Sequence, residues 1–198
     1  MDKQAELAKL AAAVNHLTDS PLYEYRQVNH YRAVIGEGDP DASLMFIGEA
    51  PGESEARQGR PFVGASGKVL DELLSHIGLR RQDVYITNVV KDRPPNNRNP
   101  KANEIRLYAP LLARQIEIIQ PRVVAPLGRF ALAFVLKHLG LPTKDQTISR
   151  LHGQALTATT DYGCVTVAPL YHPAVALYNR EQLTTLQHDF QMLKSHLN

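Results

Sequence analysis

Short apolar runs alternate with longer amphipathic segments along most of this chain. The short runs are bounded by turn-forming residues and predict strands. The longer segments carry apolar residues at intervals of three and four positions, which predicts helices. We place strands at 43–47, 84–90, 123–127, 155–158 and 164–169, and helices at about 3–16, 66–77, 100–119, 130–138 and from about 180 onward.

Strands that alternate with helices are typical of proteins in which helices cover both faces of a parallel or mixed sheet. The fold class is therefore predicted to be α/β, a three-layer α/β/α sandwich around a central, mostly parallel four-stranded sheet. Residues 1–198 are expected to form a single domain. Segment 19–41 is rich in glycine and proline and is predicted to be mostly turns. Two helix starts are predicted, at Asn99-Pro100 and at a capping box of Asn179 and Gln182.

Length and composition exclude several classes of protein. A chain of 198 residues with 43% hydrophobic content can bury one substantial core. No apolar run reaches the roughly 20 residues of a membrane helix, and the charged N-terminus lacks the apolar core of a secretory signal. The single cysteine, Cys164, excludes an internal disulfide and a multi-cysteine metal site. We expect a cytoplasmic protein without membrane association.

Chemically useful side chains follow the ends of predicted strands. Residues 48–52 read GEAPG and place Glu49 just after the first strand, whereas His172 follows the last strand. Between them, the segment 59–64 (GRPFVG) supplies the aromatic ring of Phe62 among glycines and proline. Open α/β sheets build their ligand sites at the carboxyl ends of the strands. A carboxylate, an aromatic ring and an imidazole on separate loops of that edge predict a catalytic pocket.

The distribution of charge is more informative than its sum. A net charge of +2 is too small to indicate nucleic-acid binding. Six basic residues nevertheless lie in or beside the loops that follow two predicted strands, and they would form a basic rim suited to phosphates. The alternative is that these side chains decorate solvated loops. The six residues are Arg57, Arg60, Lys91, Arg93, Arg98 and Lys101.

Several cofactor chemistries lack their motifs. The eight histidines include no HxH or HExxH pair, so a metal site is not expected. Segment 64–69 (GASGKV) lacks the first glycine of a phosphate-binding loop and has Val69 where the metal-binding hydroxyl belongs. A GxGxxG fingerprint is also missing. We expect neither a metal nor an organic or nucleotide cofactor.

The motifs together resemble those of family 4 uracil-DNA glycosylases, in the same order and over nearly the whole chain from about residue 19. The resemblance implies removal of uracil from DNA by hydrolysis of its N-glycosidic bond, which leaves an abasic site. The segments that carry it are 48–52 (GEAPG), 59–64 (GRPFVG), 88–91 (NVVK), 93–98 (RPPNNR) and 172–174 (HPA).

The same resemblance implies roles for the site residues. Glu49 would position the attacking water or stabilise the sugar cation, and His172 would donate a hydrogen bond to uracil O2. Phe62 would stack on the base and Asn88 would read its N3 and O4 edge, with Ala50 also in contact. The structural alternatives are a core phenylalanine, a turn-forming asparagine, and a surface or core histidine.

Specificity and DNA contacts follow from the same comparison. Glu55 would lie near uracil C5 and reject the methyl group of thymine, with a solvated charge as the alternative. Arg60, Arg93 and Arg98 would contact DNA. The leucine that the superfamily inserts into the base stack is replaced here by Ala176. We therefore expect either that Leu177 or Tyr178 acts as the wedge, or that extrusion of the base is weak.

A second departure concerns an iron–sulfur cluster. Family members typically hold a [4Fe–4S] cluster through four cysteines, and the matching positions here are Leu17, Ser20, Asp92 and Tyr108. These side chains cannot ligate such a cluster. We expect an ordinary packed region instead, filled by Leu17 and Tyr108, in which Asp92 pairs with Arg93 or another nearby arginine.

The sequence thus predicts a cluster-free, monomeric relative of these enzymes that acts on uracil-containing DNA. One alternative is a non-catalytic binder of uracil-containing DNA. Glu49 and His172 favour the enzyme, whereas the altered wedge favours the binder. A structural subunit that uses the fold as a protein interface is a third possibility, against which the complete set of pocket motifs argues.

Overall fold

The computed structural model describes residues 2–197, and every structural statement below concerns that part of the chain. The strands there are β1 (Glu37–Gly38), β2 (Leu44–Gly48), β3 (Tyr85–Asn88), β4 (Val123–Pro126), β5 (Leu156–Thr160) and β6 (Gly163–Val167). The helices are α1 (Lys3–Asn15), α2 (Pro21–Val28), α3 (Glu53–Gln58), α4 (Ala65–His76), α5 (Ala102–Ile119), α6 (Arg129–His138), α7 (Ile148–Leu151), α8 (Val175–Tyr178) and α9 (Glu181–Ser195).

The strands form one sheet in the order β1-β3-β2-β4-β6-β5. The four central strands run parallel, and β1 and β5 pair antiparallel at the two edges. The α/β class and the mostly parallel sheet are confirmed, but four strands was too few. The two-residue β1 offers no alternation of side chains that a sequence pattern could reveal.

Helices cover both faces of this sheet because β2 sends alternate side chains to opposite sides. Met45 and Ile47 pack in a core that also contains residues of α1, α5 and α6. Leu44 and Phe46 belong to the opposite core with residues of α4 and α9, where Phe46 stacks on Phe190 with ring centroids 5.7 Å apart. The three-layer sandwich is therefore confirmed.

Several short helices were missed, and two predicted helix starts are wrong. Segment 19–41 contains α2, because Pro21 occupies the first helical turn after Ser20, whose side chain accepts the Leu22 amide. Helix α5 begins at Ala102 rather than at Pro100. Asn179 accepts the Glu181 amide at 2.9 Å, and no reciprocal bond from Gln182 completes a capping box among the described residues. Helices of one or two turns carry too few residues to show a period.

The four positions that correspond to cluster ligands are packed and hydrogen-bonded. The Tyr108 hydroxyl donates to Asp92, lies 2.9 Å from the Ser20 hydroxyl and is completely buried. Arg26 donates to Asp92 at 3.0 Å, so the expected arginine partner is Arg26 and not Arg93. Leu17 packs at the edge of the same core. Without thiolates, and with its polar groups bonded to one another, this region does not fit an iron–sulfur cluster.

No helix within residues 2–197 is both long enough and apolar enough to cross a membrane.

Candidate active site

A cavity of about 460 Å³ opens at the carboxyl edge of the sheet. It lies there because Gly48 and Asn88 are paired at the ends of the neighbouring strands β2 and β3, so the loops that follow start side by side. Its volume is in the range of small-molecule sites. It is lined by Glu49, Ala50, Pro51, Gly52, Glu55, Phe62, Ser66, Asn88, Pro94, Asn97, Arg98, Asn99, His172, Ala174 and Tyr178.

Most of the predicted site residues line this one cavity, although they come from five separate stretches of sequence. The structure does not bring Arg60, Arg93 and Leu177 to the lining. Sequence reasoning missed Ser66, Pro94, Asn97 and Asn99 as lining residues. The last three belong to the proline- and asparagine-rich loop after β3, whose turn chemistry was the available signal.

The flat wall of the cavity is Phe62, whose ring stacks against the imidazole of His172 with centroids 5.5 Å apart. A Cβ atom at Gly48 would meet the Phe62 ring at 2.6 Å and the Asn88 side-chain oxygen at 2.3 Å. Glycine is thus required at the end of β2 for these two side chains to approach the strand. Phe62 also packs in the core beneath the cavity, so the core and the pocket interpretations both describe it.

Glu55 braces the loop that carries Phe62. Its carboxylate accepts the amides of Val63 at 2.9 Å and Gly64 at 2.7 Å, just before the N-terminus of α4. A negative charge is favourable at that end of a helix. The side chain is only 8% exposed, so the alternative of a solvated charge is wrong.

His172 is held as a neutral hydrogen-bond donor. Its Nδ1 atom accepts the amide of Ala174 at 3.2 Å, which places the ring proton on Nε2. Burial lowers the pKa of His172 to about 4, and the nearby charge of Glu55 only partly opposes this effect. At neutral pH the imidazole therefore offers an N–H bond without carrying a positive charge.

Glu49 is half-buried, and its carboxylate has no hydrogen-bond or ion-pair partner within residues 2–197. Burial raises the pKa of this carboxyl, and the guanidinium of Arg129 at the start of α6 opposes the increase. Val90 donates its amide to the Glu49 carbonyl at 3.1 Å and fixes the backbone there. An unpartnered carboxylate in a cavity is well suited to orient a water molecule or face a developing cation.

The predicted basic rim is largely wrong. Lys91 is completely buried, and all four arginines pair with carboxylates. Arg57 and Arg93 pair with Glu53, Arg60 pairs with Glu37, and Arg98 pairs with Glu104. Arg98 still lines the cavity, whereas Arg60 lies outside it, between its carboxylate partner and solvent. Glu37 lies 23 positions from Arg60, and Glu104 lies on α5 whereas Arg98 precedes that helix. The local charge pattern could therefore not reveal these two ion pairs.

Arg93 connects the loop after β3 to two other parts of the structure. Its guanidinium donates to the Tyr31 hydroxyl at 2.6 Å and to Asn97 at 2.8 Å, and lies 3.2 Å from Glu53. Asn97 has a left-handed backbone with φ of 53°. Arg93 therefore stabilises the unusual conformation of the loop that forms one wall of the cavity, and the geometry does not support a direct contact with DNA.

The two wedge candidates differ in position. Tyr178, at the end of α8, is 90% exposed and borders the mouth of the cavity. Leu177 is 47% exposed and does not line it. Ala176 packs against the core and cannot reach outward. The geometry therefore favours Tyr178.

This arrangement can bind a planar heterocycle. Phe62 supplies a stacking surface, the buried amide of Asn88 supplies a donor and an acceptor for one edge, and His172 supplies a second donor. Glu49 adds a negative charge at the rim of the same space. Within residues 2–197, no group of three or more histidine, cysteine, aspartate or glutamate side chains is arranged to hold a metal ion.

Comparison with known proteins gives consistent matches. The family model of the uracil DNA glycosylase superfamily matches residues 35–194. A type-4 uracil-DNA glycosylase of Sulfurisphaera tokodaii is 41% identical over 189 residues, which is 95% of this chain and 83% of that protein. Enzymes of the same description from Archaeoglobus fulgidus and Thermotoga maritima are 45% and 42% identical, over 81% and 84% of this chain and 79% and 81% of their own lengths.

Proposed function

The chain belongs to the uracil DNA glycosylase superfamily, and from this premise we propose that it removes uracil from DNA by hydrolysing the N-glycosidic bond, leaving an abasic site. The observation that carries the proposal is the single cavity shared by Glu49, Phe62, Asn88 and His172. An enzyme that acts on a base within DNA must bind that base outside the stack, in a pocket of this kind.

The extruded uracil would lie against Phe62 with its N3–O4 edge toward Asn88. The Asn88 amide nitrogen donates to O4, and its amide oxygen accepts from N3–H. Cytosine presents the opposite pattern on this edge, an acceptor at N3 and an amino donor at C4, so it is rejected. Glu55, fixed by two backbone amides, occupies the wall that would exclude a methyl group at C5.

Breaking the glycosidic bond leaves negative charge on uracil and positive charge on the sugar. The Nε2–H of His172 donates to O2, where the charge on the departing base accumulates. A neutral imidazole can do this without being a strong acid, and its low pKa keeps it neutral throughout the physiological range. Glu49 orients the water that attacks C1′ and stabilises the oxocarbenium-like sugar.

We expect the single-turnover rate to fall at acidic pH as Glu49 is protonated. Because burial raises the pKa of Glu49, this loss begins at a higher pH than for an exposed glutamate, and before His172 gains a proton near pH 4. Arg129→Gln removes the charge that lowers the pKa of Glu49, and should move the acidic limb to higher pH. Rates at saturating enzyme across pH measure this, with the exposed Arg150→Gln as control. An acidic limb that stays in place, or moves to lower pH, would contradict the role of Arg129.

Tyr178 would enter the space vacated by the flipped nucleotide. Stacking of a base on an aromatic side chain contributes about 1–3 kcal/mol, so Tyr178→Ala should slow excision from duplex DNA by about tenfold. Excision from single-stranded DNA should change much less, because no stacked duplex must be opened there. Leu177→Ala is the matched control and should retain most of the duplex activity. Equal losses by Tyr178→Ala on both substrates would argue against a wedge.

We propose a monomeric, single-domain, cytoplasmic enzyme that needs neither a metal nor a nucleotide cofactor. Its DNA contacts would include Arg98 at the cavity and the exposed end of α8. A non-catalytic binder of uracil-containing DNA is the second candidate, favoured only by the replacement at Ala176.

Excision of uracil from a labelled oligonucleotide tests the proposal directly. The protein is incubated with uracil-containing and matched thymine-containing strands, with and without chelator, and abasic sites are cleaved by hot alkali. Uracil-dependent cleavage that chelator does not slow is the expected result. Uracil-dependent binding in a gel-shift assay without cleavage, at stoichiometric protein, would establish the binder instead.

A further inference from the structure

Lys91 is a fully buried lysine without a carboxylate partner among residues 2–197. Its Nζ atom lies 2.6 Å from the Thr87 hydroxyl, 2.8 Å from the Asn88 carbonyl oxygen and 2.7 Å from the side-chain oxygen of Gln115. The Thr87 hydroxyl donates to the Ile35 carbonyl at 2.7 Å, so toward lysine it is an acceptor. The three partners thus match the three N–H bonds of an ammonium group.

Such an arrangement is costly for the fold. Removing an ammonium group from water is unfavourable, and here no opposite charge offsets the loss. Burial accordingly lowers the pKa of Lys91 well below its ordinary value. An apolar side chain of similar length would avoid this cost but would leave the acceptors of Thr87, Asn88 and Gln115 without their donor. Because the two costs oppose each other, core stability alone does not account for the amine.

The position of Lys91 offers a better account. Its hydrogen bond to the Asn88 carbonyl is made where β3 ends and the cavity begins, on the residue whose side-chain amide lines the cavity. The next amide, that of Val89, donates to Gly48 at 2.9 Å and ties the same point to β2. Gln115, on α5, receives Lys91 on one side and donates to Ile35 and Tyr85 on the other, so the amine links Asn88 to a rigid helix.

We propose that Lys91 is a positioning residue that sets the orientation of the Asn88 amide toward the bound base. This inference rests on the proposed function and extends it to a group that never contacts the base. Selection of uracil requires the amide oxygen and nitrogen to face N3 and O4, and small displacements of a positioned group can reduce rates on the order of 10²-fold.

A double-mutant cycle between Lys91→Met and Asn88→Ala tests this. Methionine keeps an apolar stem of similar length and removes the three donors. We expect Lys91→Met to lower the single-turnover rate, and the preference for uracil-containing over cytosine-containing DNA, by on the order of 10-fold to 10²-fold. Cytosine is the informative competitor because it differs from uracil on the edge that Asn88 reads, whereas thymine shares that edge. In the Asn88→Ala background, the same substitution should cost only a few-fold, because the group it positions is gone.

Tyr85→Phe is the matched control. It removes a hydroxyl that bonds the same Gln115 side chain at 2.9 Å, without touching Lys91 or Asn88. We expect little loss of rate, and additivity with Asn88→Ala within about twofold. If Lys91→Met does not fold at the assay temperature, Thr87→Val replaces it, since it removes one acceptor of the amine from the same strand.

The outcomes separate the two proposals. If the wild-type protein does not excise uracil, the proposed function fails. The double-mutant cycle is then measured as the change in binding preference for uracil-containing DNA in each variant. Wild-type activity together with additive effects of Lys91→Met and Asn88→Ala would overturn the role of Lys91 alone. A protein that neither excises nor distinguishes uracil would overturn both.

Discussion

Glu49→Gln and His172→Ala should each lower the single-turnover rate of uracil excision by on the order of 10²-fold or more, with little loss of DNA affinity. Both groups act mainly on charges that exist only as the glycosidic bond breaks, so their removal affects the transition state far more than the bound substrate. Glutamine preserves the size of Glu49, whose carboxylate has no hydrogen-bond or ion-pair partner in the described chain. Misfolding is therefore not the expected cause of the loss.

Matched controls are available elsewhere on the chain. Glu72→Gln changes an exposed glutamate of α4, and His188→Ala an exposed histidine of α9. Neither residue lines the cavity, and both variants should excise at close to the wild-type rate. Single-turnover kinetics at saturating enzyme, together with equilibrium binding to uracil-containing duplex, give the two quantities that must diverge. Rates within a few-fold of wild type for Glu49→Gln or His172→Ala would remove that residue from the catalytic group.

Helices and strands with a regular pattern of apolar residues could be predicted from the sequence. Central strands such as β2 and β4 are short apolar runs closed by glycine or proline, and the amphipathic α4 shows a clear period, so both could be predicted. Helix α2 could not, because the Ser20-Pro21 pair that starts it is also a common turn signal. The edge strand β1 exists through its pairing with β3, which is information held elsewhere in the chain.

The site divides in the same way. Glu49 and His172 were predictable because each follows an apolar stretch of sequence, and strand ends converge at one edge of a parallel sheet. The role of Asn88, the last residue of β3, was predicted from the family resemblance. The ion pairs of the basic residues could not be predicted, because they depend on partners distant in sequence. Glu37, for example, lies 23 positions from Arg60. The residues around Lys91 in the sequence predict an exposed loop. Its amine nevertheless points inward and donates to acceptors on β3 and α5.

The second large effect is expected at residues that do not line the cavity, in the ion pair between Arg26 and Asp92. Both side chains are nearly inaccessible, and Asp92 also accepts the hydroxyl of Tyr108. Asp92→Ala leaves the Arg26 guanidinium buried, with the carbonyls of Val14 and Asn15 as its hydrogen-bond partners and the Tyr23 ring 5.0 Å away. Breaking a buried pair in this way costs about 3–5 kcal/mol.

Urea unfolding of Asp92→Ala should therefore show a markedly lower midpoint with a similar slope. Tyr108→Phe removes one hydroxyl from the same network and should cost about 1–3 kcal/mol, which makes it the graded control. Replacing Arg26 and Asp92 together by apolar residues should recover much of the loss, because no unpaired charge then remains buried. None of these residues lines the cavity, so each variant should excise uracil normally while folded. A loss below about 1 kcal/mol for Asp92→Ala would contradict this account, because it would mean that water solvates the Arg26 guanidinium once its carboxylate partner is removed.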